Sequence, residues 1–300
     1  MSGMIASPYD EQLARIPVSA HRTDVDGTET AWWEYGRADA PVLVLVHGFR
    51  GDHHGLEPVV AQLPGFRIIS PDLPGFGESA TFQGRPHDIE AYADWLAAFI
   101  GAVGIDGPYA LLGHSFGSIV AANAVARGLA PERLVLVNPI GAPALEGPRG
   151  VMTRLAVLYY RTAAALPERA GFALLRNGAI VRVMSVTMAK TRSKPLRRWI
   201  HDQHDRYFSA FGDRDAVLEA FRASVSHDVS EVAADIHVPT LLVAAERDDV
   251  TPLDAQRRLV TMFPDASLEV IPEVGHLIHY ETPGDAAARI LRFLRSGAHA

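Results

Sequence analysis

An α/β fold is what this sequence predicts, with a mostly parallel central sheet, helices on both faces and a helical insertion. Three observations carry that expectation. Short unbroken runs of Val, Leu and Ile recur along the chain, as they do in strands buried on both faces. Helix-forming stretches alternate with them, which is the pattern of a parallel sheet covered by crossover helices. The alternation breaks once, between Pro139 and Pro239, where helix-forming sequence continues without a convincing buried strand.

The elements follow in order. Residues 29–36 are aromatic-rich, end in Gly36 and suit an early strand. Residues 41–47 are a continuous Val/Leu run closed by His47. A helix over 56–63 leads to a strand over 67–70, a helix over 88–103 to a strand over 109–112, and a helix over 116–128 to a strand over 133–137. After the break come a strand at 240–245, a helix at 252–263, a strand at 268–271 and a last helix at 284–295. Inside the break, helix-forming segments occupy 152–160, 172–175, 179–190, 196–211 and 214–224, punctuated by Pro143, Pro148, Pro167 and Pro195. Residues 140–235 are therefore expected to form a helical cap, or lid, over a core domain made of 1–139 and 236–300.

Composition narrows the function. The 300 residues are 48% apolar and 21% charged, which argues against intrinsic disorder. A net charge of -7, from 28 basic and 35 acidic residues, gives no basic excess to hold a phosphate backbone, so no nucleic-acid partner is expected. The absence of cysteine excludes disulfides, zinc–thiolate sites, iron–sulfur clusters and a cysteine nucleophile. The first residues lack the basic start and apolar stretch of a signal peptide. No apolar run approaches the about 20 residues of a membrane span. A soluble, cytoplasmic chain with no membrane partner is the expectation.

The chemistry gathers where strands end. Gly113-His114-Ser115-Phe116-Gly117 is a G-x-S-x-G pentapeptide lying between an apolar strand and a helical stretch, the context that motif requires. A sharp strand-to-helix turn lifts the serine out, glycines two residues away on each side leave room for the neighbouring strand and helix, and the helix N-terminus points at a developing oxyanion. A serine hydroxyl needs a base. His276, after Gly275 and the strand at 268–271, is the first candidate, and His279 is its rival. The base in turn needs a carboxylate. Glu246, Asp248 and Asp249 compete after the strand at 240–245, with Asp248 the first choice and Asp249 the second, whereas the strand before the insertion ends in Asn138 and offers none. The loop His47-Gly48-Phe49 can supply one oxyanion donor, so the backbone N–H groups of Phe49 and Phe116 are the expected pair. His47 itself reads better as a residue that fixes this loop.

The ordered set His47-Gly48, Gly113-His114-Ser115-Phe116-Gly117, Asp248 and Gly275-His276 resembles the α/β-hydrolase superfamily, whose triad order is Ser…Asp…His. Asp72-Leu73-Pro74-Gly75-Phe76-Gly77-Glu78-Ser79 resembles the loop after that family's fourth strand, and the usual pattern of its acid loop places the acid at Asp248. The resemblance covers about 25–139 and 236–296 and implies the α/β-hydrolase fold, with esterase, lipase-like and C–C hydrolase branches nearest. Ser118 and Ala245 stand where the family often has glycine. The resemblance implies Ser115 as nucleophile, His276 as general acid/base and Asp248 as its orienting carboxylate. A serine at the turn disfavours the epoxide hydrolase and haloalkane dehalogenase branches, which use aspartate there.

The leading functional expectation is cleavage of a small or medium, mainly apolar carboxylic ester through an acyl-enzyme, with a small-molecule substrate as the partner and no cofactor or metal. One alternative is a C–C bond hydrolase of a vinylogous diketone acid, weakened by His114 and Leu277 where such enzymes often resemble G-N-S and G-H-W. Another is a non-catalytic hydrolase-like binding protein. Leu155, Leu158, Tyr159, Phe172, Met184 and Met188 are expected to wall the substrate pocket from the cap. Three further signals carry less. Gly75-Phe76-Gly77-Glu78-Ser79-Ala80 fits a dinucleotide fingerprint but is followed by loop, not helix. His53-His54 and His201/His204 could suggest metal, but adjacent histidines are expected to splay apart, and the second pair reads as packing or solvated. The basic run Lys190, Arg192, Lys194, Arg197 and Arg198 reads as a solvated helix start, or as a patch for an anionic group. Oligomeric state is left open.

Overall fold

The computed structural model describes residues 5–142 and 150–296. Pro143 and Pro148, two of the punctuating prolines, lie outside them. A short helix α1 (Asp10–Leu13) leads into the hairpin of β1 (Val18–Val25) and β2 (Thr28–Tyr35). β1 is not among the strands the sequence predicts, for a physical reason. Its side chains are nearly all exposed, so it lacks the buried apolar run that marks the other strands. Its signal lay in the turn. Asp26 and Gly27 both have positive φ, 50° and 80°, which is the two-residue turn that Asp-Gly favours between antiparallel strands.

From there strands and helices alternate as expected: β3 (Val42–Val46), α2 (His53–Val60), β4 (Arg67–Pro71), α3 (Ile89–Ala102), β5 (Tyr109–His114), α4 (Phe116–Ala126) and β6 (Arg133–Val137). Among the described residues five α-helices follow: α5 (Gly150–Ala165), α6 (Glu168–Leu175), α7 (Gly178–Met188), α8 (Lys194–Tyr207) and α9 (Arg214–Ser226). Three of them start at side-chain caps: Asn177 accepts the Ala179 and Ile180 N–H groups, Ser193 accepts Leu196 N–H, and Asp213 accepts Ala216 N–H. The chain then returns through β7 (Thr240–Ala245), α10 (Leu253–Val260), β8 (Ala266–Ile271), the single turn α11 (Ile278–Glu281) and α12 (Pro283–Arg295).

The eight strands form one sheet in the order β1-β2-β4-β3-β5-β6-β7-β8. β2 is antiparallel to β1 and β4, and the pairs from β4 through β8 are parallel. Side chains alternate between two cores, as the two-residue period of a strand dictates. Val44, Ile69, Leu111 and Leu134 join α3 and α4 on one face; Leu43, Ile68, Leu112 and Val135 join α2 and α12 on the other. Parallel strands align their carboxyl ends along one edge, where open α/β sheets bind ligands. His47, Asp72, Ser115, Asn138, Asp248 and His276 all follow strands at that edge. Among the described residues no helix is long and apolar enough to cross a membrane.

Candidate active site

Ser115 sits between β5 and α4 with φ 53° and ψ -117°, a left-handed backbone that is costly for any residue but glycine. The flanking glycines explain how so tight a turn packs. A Cβ on Gly113 would stand 2.4 Å from Gly117 O, and one on Gly117 would stand 2.3 Å from Val46 O in β3. Ser118, a departure from the family's frequent glycine, braces the turn instead: its hydroxyl donates to Ser115 O at 2.5 Å.

The structure brings the three expected residues into one hydrogen-bonded chain. His276 Nε2 lies 2.8 Å from Ser115 Oγ, and His276 Nδ1 lies 2.8 Å from Asp248 Oδ2. A carboxylate on Nδ1 fixes the proton there, so Nε2 is left to accept from the serine hydroxyl. Burial alone would raise the Asp248 carboxyl, but His276, the Thr251 hydroxyl (2.6 Å) and the Thr251 N–H (3.0 Å) outweigh it and hold the group below the usual carboxylate range. The rivals face elsewhere. Asp249 meets Lys190 Nζ at 2.5 Å, and His279 is buried edge-on against His114 at 4.3 Å.

The loop after β3 borders the serine, since a Cβ on Gly48 would lie 3.3 Å from Ser115 Cβ. His47 holds that loop. Its Nε2 accepts Leu73 N–H at 2.8 Å, and its Nδ1 donates to Gly48 O at 2.9 Å. Among the described residues neither Phe49 N–H nor Phe116 N–H donates to a backbone or side-chain acceptor. Phe116 N–H is also the first amide of α4, where the helix dipole is positive. Two amides and a hydrogen-bonded Ser–His–Asp chain can together activate a hydroxyl and stabilise negative charge beside it.

Sequence reasoning missed Asn138. Its side chain donates to His276 O at 2.8 Å and accepts Ala245 N–H at 2.9 Å, which ties the ends of β6 and β7 to the histidine loop. An amide has a donor and an acceptor to offer two backbones, which a carboxylate lacks. Arg50 was missed too. It is 1% exposed and follows Phe49 with φ 58°. Its guanidinium donates to Phe208 O, the Tyr160 hydroxyl, Leu175 O and the Ser209 hydroxyl, so it fastens α5, α6 and the end of α8 to this loop. A lone arginine after the histidine-glycine loop gave no warning that its partners lie more than a hundred residues away.

The pocket expectation needs correction. Leu155 and Leu158 are 54% and 60% exposed on the outer face of α5, so neither walls a site. Their helical spacing located the apolar stripe one position off the inward face. Tyr159 is half-buried and spends its hydroxyl on Leu174 O and Leu175 O. Phe172 packs edge-on against Phe211. Met184 is half-buried on α7, and Met188 packs beside Leu277 and Tyr280, close to the histidine loop. The aromatic wall next to the serine is a different set. Phe49 contacts Phe76, Phe116, Tyr160 and Phe221 at centroid distances of 5.7 to 6.2 Å, and Tyr160 stacks on Phe221 at 3.8 Å. Ser115 itself is covered rather than standing out of its turn, at 9% exposure. Arg192 and Arg198 are exposed, so the basic run does not turn inward there.

Three buried histidines give stability a pH dependence. Burial, with lesser help from neighbouring charge, pushes His114 and His204 down to about 3, and holds His279 well below the ordinary range. Unfolded histidine titrates near 6.5. As pH falls below about 6.5 the unfolded chain takes up these protons while the fold does not, so stability is full above that pH and declines towards about 3. Each ring contributes at most about 1.4 kcal/mol per pH unit in that window. Urea unfolding midpoints are expected to drop between pH 7.5 and pH 5; an unchanged midpoint would show that the folded protein accepts the protons.

Residues 43–290 match the model of the Alpha/beta hydrolase family. Two curated relatives are similar over most of the chain. The dihydrolipoyllysine-residue acetyltransferase component of the acetoin cleaving system of Pseudomonas putida is 27% identical, over 91% of this chain and 69% of its own length. The 2-succinyl-6-hydroxy-2,4-cyclohexadiene-1-carboxylate synthase of Salmonella typhimurium is 27% identical, over 86% and 96%. Among solved structures, a thermophilic esterase from Thermogutta terrifontis superposes with a TM-score of 0.74 at 24% identity, covering 94% of this chain and all of its own, a likeness of fold. With the family match spanning β3 through most of α12, and the sheet order and strand-end turns those of the fold, the chain belongs to the alpha/beta hydrolase family.

Proposed function

We propose that this protein is a serine hydrolase that cleaves a small or medium, mainly apolar carboxylic ester through an acyl-enzyme. The observation that carries the reading is the hydrogen-bonded chain Ser115–His276–Asp248 beside the Phe49 and Phe116 amides. The relatives are named for diverse activities, so the choice of bond rests on the site. Ser115 Oγ attacks the ester carbonyl carbon while His276 Nε2 takes its proton, and the oxyanion is held by the two amides. The tetrahedral species collapses, His276 gives the proton to the leaving alcohol, and the acyl group stays on Ser115. Water, deprotonated by His276, attacks the acyl carbon and releases the acid. Asp248 keeps the imidazole in the working tautomer and stabilises its cation. No step calls on a metal or cofactor.

Residues 140–235 act in this reading as a cap over a core of 1–139 and 236–300. Its support is the Arg50 anchorage and the seating of Tyr160 and Phe221 against Phe49. An aromatic wall favours an uncharged acyl group, at about 0.8 kcal/mol per buried CH₂. With p-nitrophenyl esters of graded length, kcat/KM is expected to rise over the first few carbons and fall once the space is full. Phe221→Ala lengthens the preferred chain, whereas Leu158→Trp, on the outer face, leaves the profile unchanged. A flat profile, or faster turnover of a vinylogous diketone acid than of any ester, contradicts the ester reading and favours C–C cleavage.

A further inference from the structure

Beyond the oxyanion loop, the chain brings three metal-ligating side chains together. Asp52, which precedes α2, and His53 and His54, its first two residues, each offer a ligand atom, and these atoms lie within 4.8 Å of one another. The adjacent histidines do not splay apart as expected: their rings stand 3.9 Å apart, inclined by 39°. Trp33 stacks on His53 and Tyr207 on His54, so both rings are held.

The hydrogen bonding is that of prepared ligands. Asp72 Oδ1 accepts His53 N–H at 2.8 Å and His53 Nδ1 at 2.9 Å, which places the ring proton on Nδ1 and leaves the Nε2 lone pair. A carboxylate behind an imidazole orients metal-bound histidines and raises their basicity. Asp52 is 3% exposed, and its Oδ1 faces His54 Nδ1 at 3.5 Å, with neither atom in a hydrogen bond among the described residues. The two atoms form a long ion pair rather than a hydrogen bond, and an ion between them would replace that contact with two short bonds.

We propose that Asp52, His53 and His54 bind one divalent ion of the zinc type. Zinc bonds of about 2.0–2.1 Å set tetrahedral ligands roughly 3.3 Å apart, close to the Asp52–His54 spacing. With three protein ligands, a fourth position is left to water. Two imidazoles and a carboxylate suit zinc, nickel or copper rather than magnesium or calcium, which take oxygen ligands. Through the Tyr207 stack the ion steadies the start of α2 against the end of α8. It takes no part in the ester chemistry and is independent of that reading.

The test is calorimetric titration of chelator-stripped full-length protein with Zn²⁺. One equivalent is expected to bind, with a Tm that rises as free Zn²⁺ rises. Asp52→Asn and His54→Gln should each weaken binding at least about tenfold, whereas His201→Gln, at the other buried histidine pair, leaves it unchanged. Mg²⁺ is expected to leave Tm unchanged. Should Asp52→Asn fail to fold, His54→Gln at the more exposed ring decides alone. No saturation by about 1 mM Zn²⁺, binding undiminished in His54→Gln, or a loss that follows His201→Gln instead overturns the proposal.

Discussion

Ser115→Ala is expected to lower kcat by about 10⁴-fold or more, with the thermal midpoint almost unmoved. In the proposed mechanism the substitution removes the atom that attacks the substrate carbon, and it keeps the Cβ that fits the turn. What it takes from the fold is one hydrogen bond, Oγ to His276 Nε2, at a site where burial is already set by Gly113, Gly117 and the loop after β3. The φ of 53° is as costly for alanine as for serine, so the strain is unchanged. His276→Ala has a similar effect on kcat, and His279→Ala leaves most activity because His279 faces His114 and not the serine. Steady-state kinetics on the best ester, beside thermal unfolding of the same preparations, checks all three. Activity of Ser115→Ala within tenfold of the parent would remove Ser115 from the mechanism.

Asp248→Asn carries the second large effect, roughly 10²–10⁴ in kcat. The carboxylate makes two kinds of contact. Oδ1 accepts Val250 N–H at 2.7 Å and Thr251 N–H at 3.0 Å, and Oδ2 accepts the Thr251 hydroxyl and His276 Nδ1. Those two amides need an acceptor oxygen, so asparagine keeps its Oδ1 towards them and turns its NH₂ to His276. The imidazole then accepts at Nδ1, carries its proton on Nε2 and can no longer take the serine's. KM is expected to change little, because the tautomer, not substrate contact, is lost. Asp249→Asn, which loosens the Lys190 contact and leaves the His276 bond in place, should cost less than tenfold. An exchange of the two results would move the acid by one position.

Much of this site was legible because its residues obey local rules. A G-x-S-x-G turn needs glycines where backbones approach, and those approaches are 2.3–2.4 Å from a would-be Cβ. The strands from β3 onward announced themselves by apolar runs, since both faces are covered. β1 did not, because an exposed edge strand has no such run, although its Asp-Gly turn could have been used. What stayed hidden depends on contacts far apart in sequence. Arg50 reads as a surface charge until Phe208 O, Leu175 O and Tyr160 surround it. Asn138 looked like a missing carboxylate and is a brace between two strands and the histidine loop. On α5, periodicity showed an apolar stripe at Leu155 and Leu158, but only packing selects the face that holds Tyr160 inward.

The central claim is that Ser115 is an activated nucleophile, and a fluorophosphonate probe followed by intact-mass and peptide mapping tests it most directly. The protein offers its own rival. Ser185 lies 2.6 Å from both His201 Nδ1 and His204 Nδ1, and Ser19 lies 2.8 Å from His21 Nε2, so a serine beside a histidine recurs among the described residues. Of these three serines, Ser115 alone has a carboxylate hydrogen-bonded behind its histidine among the described residues, with two amides beside it. The expected result is a single adduct on the peptide containing Ser115, absent in Ser115→Ala and slowed strongly in His276→Ala. No adduct under conditions that label a known serine esterase, or an adduct on Ser185, would contradict the account.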